Sequence, residues 1–158
     1  MRVLFVCTGN TCRSALAEAI AVREAAARGM HDVLSSSAGT SAWDGAPASD
    51  GALLVGIERK LDVNSHRSRQ LSREIVEQSD LILAMGPHHV ERIEALGGEG
   101  KTYLITDYAE RSDEGRAIVD PFGGDLDIYR STVDELGRVV ALVFDRIASE
   151  RPRNSGAV

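Results

Sequence analysis

The stretch Cys7-Thr8-Gly9-Asn10-Thr11-Cys12-Arg13-Ser14 decides how the rest of the chain is interpreted. An apolar run at residues 3–6 precedes it and an alanine-rich segment at 15–20 follows it, which predicts a strand before the loop and a helix after it. A loop that enters a helix turns free backbone N–H groups inward, and these donors, together with the positive end of the helix, suit a tetrahedral oxyanion. The sequence therefore predicts an anion-binding loop at residues 7–14.

Side chains within the loop complete the predicted anion site. Gly9 lets the backbone bend, and the amide of Asn10 can brace the loop. Arg13 follows Cys7 by six positions and carries a planar fork that can hold two phosphate oxygens while the sulfur faces the phosphorus. The same donors stabilise a thiolate more than a thiol, and the Ser14 hydroxyl can add one more, so Cys7 is predicted to be a nucleophile. The alternative is a structural turn with a buried cysteine and a solvated arginine.

The composition argues against several functional classes. A formal net charge of −6 over 158 residues opposes a nucleic-acid binder, since neutralising phosphates requires a basic face. No apolar run has the length of a membrane span or a signal peptide, and two cysteines in one loop do not form a disulfide framework, so we expect a cytoplasmic protein without a membrane partner. The adjacent His88 and His89 lack the spacing of metal ligands and are assigned structural or surface roles, so neither a metal nor a cofactor is predicted.

Strand and helix signals alternate along the chain. This alternation predicts a single α/β domain over residues 1–150, with a four-stranded parallel sheet covered by helices on both faces, followed by a flexible tail at 151–158. A monomer is expected. A long segment without periodicity, residues 107–124, is predicted to be a functional or mobile loop. Strands are predicted at about 2–6, 33–37, 81–85 and 102–105, and helices at about 14–28, from near Pro47, from Leu71, from Pro87 and at 127–149, the last with Ile128, Thr132, Leu136, Val139, Val140, Val143 and Ile147 on its core face.

Asp120 is the candidate proton donor. Displacement of a phosphoryl group by a thiolate expels a leaving group that would otherwise depart as a strong base. Pro121 restricts Asp120 to an extended backbone, which can hold its carboxyl at one height above the loop. An Asp-Pro pair on its own is typical of turns, but this one lies in the long loop at the carboxyl edge of the sheet, where ligands bind.

Residues 6–14 resemble the active-site loop of the low-molecular-weight protein tyrosine phosphatases, and within that superfamily most closely the bacterial protein-arginine phosphatases. The resemblance implies a phosphatase fold and a phosphocysteine intermediate, with Cys7 as nucleophile, Arg13 on the phosphoryl oxygens and Asp120 as general acid. It also implies phosphorylated proteins as substrates and inorganic phosphate or similar oxyanions as product-like ligands. The substrate-binding residues it implies are Thr8, Gly9, Asn10, Thr11, Cys12 and Ser14.

Three positions favour phosphoarginine over phosphotyrosine. Tyrosine-directed members of the family typically follow the Asp-Pro pair with two aromatic residues, whereas this chain has Phe122 and then Gly123. Relatives of the tyrosine type usually carry Ile where this chain has Thr11, and the arginine phosphatases have Thr there. A smaller, more polar wall favours a guanidinium over a phenyl ring. Phosphotyrosine remains the alternative substrate.

Further residues are expected to support the site. By resemblance, Ser37 and His66 hydrogen-bond to Asn10 and hold the loop in shape. Trp43, in a loop at the mouth of the sheet, is either a wall of the substrate pocket or a core residue. Oxidation of Cys7 can be captured as a reversible disulfide with Cys12, unless the second cysteine is only a packing residue.

Two other functions share the loop. Arsenate reductases of this fold pass oxidation through further cysteines, but this chain has only Cys7 and Cys12, so no distal cysteine is available to deliver a disulfide. A binding module that retained the anion site without turnover is the other alternative. The presence of both Cys7 and Asp120 argues against that alternative.

Overall fold

The computed structural model describes residues 1–151, so residues 152–158 of the predicted tail lie outside the described part of the chain. The elements are, in chain order, β1 (Arg2–Cys7), α1 (Arg13–Ala27), β2 (Leu34–Gly39), α2 (Asp50–Glu58), α3 (Arg73–Gln78), β3 (Leu81–Ala84), α4 (Pro87–Ala95), β4 (Thr102–Leu104), α5 (Ile105–Glu110) and α6 (Leu126–Glu150). None of these helices is long and apolar enough to span a membrane.

The four strands form one parallel sheet in the order β2-β1-β3-β4. This arrangement confirms the predicted four-stranded parallel sheet. Cys7, the last residue of β1, pairs with Gly39 on β2, and Val6 pairs with Ala84 on β3. The carboxyl ends of three strands therefore meet at one edge, which is where α/β sheets bind ligands.

Side chains of β1 alternate between two buried layers. Val3 and Phe5 lie in a core formed with α1, α2, α5 and α6, whereas Leu4 and Val6 lie in a smaller core with α3 and α4. Residues 3–6 are completely buried. Their burial on both faces confirms that β1 is a strand covered by helices on each side, as its continuous apolar sequence predicts.

Serine caps set the starts of two short helices. α2 begins at Asp50 rather than near Pro47, because the Ser49 side chain accepts a backbone N–H of the first turn and fixes the helix end there. α3 begins at Arg73 after Ser72, whose side chain accepts a hydrogen bond in the same way. The predicted starts near Pro47 and Leu71 were therefore two to three residues too early.

The segment predicted to be one long loop contains a helix. α5 follows β4 directly and occupies the beginning of the 107–124 segment. The face predicted for α6 is buried, with one exception. Ile128 is 41% exposed. It lies in the first turn of α6 and contacts Gly124 of the preceding loop rather than the core.

Candidate active site

The backbone N–H groups of residues 8–12 are the candidate donors to an anion. Within residues 1–151, nothing accepts a hydrogen bond from these N–H groups. The carbonyl groups point outward, with bonds from Thr40 N to Cys7 O (2.9 Å), from Ser41 N to Thr8 O (3.0 Å) and from Ser49 N to Thr11 O (2.9 Å). Because α1 begins directly after these residues, its positive end adds to the inward donors. The loop has the geometry of an anion-binding nest, as predicted.

Asn10 is the internal brace of the loop. It is completely buried and has a φ of 58°, a left-handed conformation that asparagine tolerates better than most residues. Its amide Nδ2 donates to Ser14 Oγ (2.8 Å), and its Oδ1 accepts from the backbone N–H of Arg69 (3.0 Å). Ser14 Oγ lies 2.9 Å from Cys7 Sγ. Since the serine oxygen already accepts from Asn10, its own proton is free to donate to the sulfur, which stabilises a thiolate.

His66 contacts the loop as expected, but Ser37 does not. His66 Nε2 lies 2.6 Å from the backbone oxygen of Asn10, so the predicted bond is present and uses the main chain. Ser37 was predicted to bond to Asn10, and this prediction is wrong. Its hydroxyl donates instead to Glu18 Oε1 on α1 (2.6 Å), because the backbone N–H of Arg69 takes the amide oxygen of Asn10.

Arg13 and Asp120 meet above the loop. Arg13 is 5% exposed, and its Nη1 donates to the backbone oxygen of Ile118 (3.0 Å). Ile118 is anchored in turn by its backbone N–H, which donates to Met85 O beyond the end of β3 (2.9 Å). Arg13 Nη2 lies 3.6 Å from Asp120 Oδ2. The buried Ile118 thus links the 111–125 segment to the sheet edge two residues before Asp120.

A cavity of about 230 Å³ contains the reactive groups. The residues that line it are Cys7, Thr8, Gly9, Thr11, Cys12, Arg13, Asp120 and Phe122. Phe122 is 75% exposed, so it forms the rim of the cavity rather than its floor. Asp120 Oδ1 accepts the backbone N–H of Phe122 (3.0 Å), which holds the carboxylate in a local turn. The predicted nucleophile, cation and acid therefore share one cavity.

Trp43 lies outside both the core and this cavity. It is 85% exposed and is not a lining residue of the cavity around Cys7, so the core alternative is wrong and the structure does not bring the ring to the pocket wall. Other atoms of the loop make its contacts: Ser68 Oγ donates to the Trp43 carbonyl, and the backbone N–H of Gln70 donates to the side-chain Oδ1 of Asp44 (2.9 Å). These contacts fix the loop and leave the indole at the surface.

Cys12 is a buried thiol between three elements. Its Sγ lies 3.3 Å from Ser49 Oγ and 3.8 Å from the hydroxyl of Tyr129 on α6. Tyr129 packs directly on Gly51, where an added Cβ would lie 2.4 Å from the ring. Both cysteines are free thiols, and both line the same cavity.

His89 is a loop contact that the sequence did not predict. Both histidines are predicted from the sequence to have structural or surface roles. His88 is exposed, whereas His89 is completely buried. The Nε2 atom of His89 lies 2.8 Å from Thr8 Oγ1. Burial lowers the pKa of His89 to about 4, with further lowering by His88 and Arg13 and an opposing effect of Asp120. One signal was available: Gly86-Pro87 starts a helix at the carboxyl edge of β3, so a residue in its first turn lies at the edge of the sheet where ligands bind.

Comparisons with known proteins agree with this geometry. Residues 2–153 match the family model described as low molecular weight phosphotyrosine protein phosphatase. The chain is 35% identical over 153 residues to the protein-arginine-phosphatase of Bacillus subtilis (strain 168), covering 96% of this chain and 99% of that protein. It is 36% identical over 137 residues to the low molecular weight protein-tyrosine-phosphatase PtpB of Staphylococcus haemolyticus, covering 86% of this chain and 92% of that protein. A solved structure of a YwlE arginine phosphatase mutant with a phosphorylated active-site serine superposes with a TM-score of 0.89, at 35% identity and over 96% and 98% of the two chains.

Proposed function

The chain belongs to the low molecular weight phosphotyrosine protein phosphatase family, and from this premise we propose that it hydrolyses phosphoarginine in proteins through a phosphocysteine intermediate. The observation that carries the reaction type is the meeting of a thiol, a guanidinium and a carboxylate over inward N–H groups in one cavity. The proposal includes phosphorylated proteins as substrates, inorganic phosphate as product, and the monomeric state and cytoplasmic location expected from the sequence.

The first half of the reaction transfers the phosphoryl group to sulfur. The Cys7 thiolate attacks phosphorus in line, an S–P bond forms and the P–N bond to the substrate guanidinium breaks. Asp120 donates its proton to the departing nitrogen, so the arginine leaves as a guanidinium cation rather than as the strongly basic neutral guanidine. Arg13 and the N–H groups of residues 8–13 stabilise the charge on the equatorial oxygens.

The second half returns the enzyme to its starting state. Asp120, now ionised, accepts a proton from a water molecule as that water attacks phosphorus. The S–P bond breaks, inorganic phosphate forms and Cys7 leaves as a thiolate, which Ser14 Oγ stabilises from 2.9 Å. The proton taken up by Asp120 is the one that the next turnover requires, so the cycle balances.

The choice of phosphoarginine rests on the walls of the cavity. Thr11 contributes a polar branched side chain where a larger apolar one would favour a phenol. Phe122 is followed by Gly123, which has a φ of 80° and no side chain to form the second face of an aromatic slot. The half-exposed carboxyl group of Asp120 faces the same opening and can accept hydrogen bonds from the N–H groups of a guanidinium. Near full-length similarity to a protein-arginine-phosphatase supports the same choice.

Phosphotyrosine is the second candidate substrate. The family description and the similarity to PtpB of Staphylococcus haemolyticus favour it. The same nucleophile, cation and acid would serve this reaction, with the phenol oxygen as the protonated leaving group. The residues that line the cavity therefore decide between the two candidate substrates, because the catalytic groups would serve both.

The deciding experiment measures phosphate release from one peptide that carries either phosphoarginine or phosphotyrosine. Cys7→Ser protein is the blank, because it removes the thiolate and retains the loop. We expect a higher kcat/KM for the phosphoarginine peptide. A preference for phosphotyrosine would reject the proposed substrate and keep the mechanism. Activity equal to the blank on both peptides would favour a binding module without turnover.

A further inference from the structure

His89 contacts the anion-binding loop at Thr8 without lining the cavity. It lies in the first turn of α4 and is completely buried, with its Nε2 2.8 Å from Thr8 Oγ1. Thr8 lines the cavity beside Cys7, whereas His89 itself is not a lining residue. The imidazole therefore reaches the cavity only through the threonine hydroxyl.

The second ring nitrogen indicates which tautomer is present. His89 Nδ1 is buried and has no hydrogen-bond partner within residues 1–151. A proton on Nδ1 would leave a buried N–H donor unpaired, whereas a proton on Nε2 leaves only a lone pair unpaired there. Orphaned buried N–H groups are the rarer and costlier of the two. The favoured tautomer carries its proton on Nε2, so His89 donates to Thr8 Oγ1.

This direction determines what the threonine hydroxyl can do. Its oxygen already accepts from His89, so its proton must find another acceptor. Within the described chain, Thr8 Oγ1 has no hydrogen-bond partner besides His89. We propose that His89 is a positioning residue that turns the hydroxyl of Thr8 into an additional donor to the oxygens of a phosphoryl group bound in the loop.

The surroundings of His89 keep this arrangement intact at neutral pH. Apart from its burial, the charged and titratable groups that act on the ring are His88 on α4, Arg13 on α1 and Asp120 in the loop before α6. Burial, His88 and Arg13 disfavour the imidazolium, and only Asp120 favours it. A charged ring would also have to carry the unpaired Nδ1–H described above. The neutral ring therefore persists where the enzyme is expected to work.

The first test is the binding of inorganic phosphate by calorimetry, which needs no turnover and no choice of phosphorylated amino acid. The inference rests on the proposed function only in requiring that the cavity binds a phosphoryl group, so a preference for phosphotyrosine would leave it standing. We expect His89→Leu to weaken phosphate binding about five- to tenfold, the effect of one lost hydrogen bond. His89→Gln, whose amide nitrogen can replace Nε2, should recover most of the affinity, and the exposed neighbour serves as control in His88→Gln.

The second test asks whether His89 acts through Thr8. Thr8→Val should weaken phosphate binding as much as His89→Leu, and the double variant should lose no more than Thr8→Val alone. A merely structural histidine would give additive losses, with Gln no better than Leu, and these results would overturn the proposal. Nitrogen-15 NMR of the wild-type histidines should show the proton of His89 on Nε2. A proton on Nδ1 would refute the assignment even where the leucine variant fails to fold.

Discussion

Arg13 Nη2 lies 3.6 Å from Asp120 Oδ2, so the cation proposed to hold phosphoryl oxygens and the proposed acid are paired with each other. The arginine side chain is 6% exposed and the aspartate side chain 53% exposed, which makes Arg13 the fixed partner. A phosphoryl dianion entering the loop competes with Asp120 for this guanidinium. In the proposed reaction, binding of substrate would therefore compete with this ion pair and free the carboxyl group of Asp120 to face the leaving group.

Asp120→Asn tests the proposed acid. The amide cannot donate a catalytic proton, so kcat on a phosphorylated peptide should fall about 10²- to 10⁴-fold. With p-nitrophenyl phosphate, whose leaving group needs little protonation, the loss should be smaller. Asp113→Asn, an exposed residue of the same segment, is the matched control and should retain wild-type rates. Equal losses on both substrates would argue that Asp120 acts only in binding.

Thr11→Ile tests the specificity argument. Added apolar volume in the cavity wall should lower kcat/KM for phosphoarginine and raise it for phosphotyrosine, shifting the ratio by about 10-fold or more. Thr11→Val separates the two causes, because it removes the hydroxyl and keeps the size of the side chain. A shift with isoleucine alone would assign the effect to volume. An unchanged ratio in both variants would contradict the role of Thr11.

The parts of the site that belong to one loop, or to a segment located by a strand end or by a family resemblance, could be predicted, and contacts that depend only on strand order could not. Cys7, Arg13 and Ser14 belong to one loop, so spacing alone brings them together, and Asp120 was placed because its segment follows a strand at the same edge. His89 is 81 residues from Thr8, and their contact depends on β3 lying next to β1. Nothing in the local pattern around two adjacent histidines distinguishes the buried one from the exposed one.

The wrong local predictions have physical causes too. α5 was missed because a six-residue helix contains too few turns to show a 3.6-residue period. Ser37 was given the wrong partner because the fold brings Glu18 to Ser37 and Arg69 to Asn10, and neither contact is visible in the sequence. Trp43 was expected to be buried or at the pocket because it is large and apolar, but the bonds that fix its loop use the Trp43 carbonyl and the Asp44 side chain and leave the indole free.

Gly39→Ala tests the packing behind the loop. An added Cβ would lie 2.4 Å from Thr8 O and 3.0 Å from Asn10 N, both of them backbone atoms that cannot move without distorting the anion site. We expect a loss of about 1–3 kcal/mol in the free energy of unfolding and a marked loss of activity. Gly137→Ala is the control, since open space surrounds that position within α6 and alanine should stabilise the helix by about 0.5–1 kcal/mol. Chemical denaturation of both variants checks the contrast.

Cys12→Ser tests the proposed redox protection. Peroxide should inactivate the wild-type enzyme reversibly, because a sulfenic acid on Cys7 loses water as it forms a disulfide with Cys12. Without the second thiol the sulfenic acid can be oxidised further to sulfinic acid, so thiol treatment should restore much less activity. Equal recovery of wild-type and variant enzyme would show that Cys12 only packs between Ser49 and Tyr129.

The burial of His89 predicts a pH dependence of stability. Its pKa falls from 6.5 to about 4 on folding, so between these values the unfolded chain binds a proton that the folded chain does not. The free energy of unfolding should therefore be unaffected by this group above about pH 6.5 and should decrease by about 3 kcal/mol as the pH falls to 4. His89→Gln removes the titrating group, so its unfolding free energy should decline less steeply across this window. His88→Gln should change the slope less than His89→Gln does, since the exposed His88 only adds to the lowering of the pKa of His89 by burial. A wild-type slope in His89→Gln would show that the imidazole is already protonated in the folded protein.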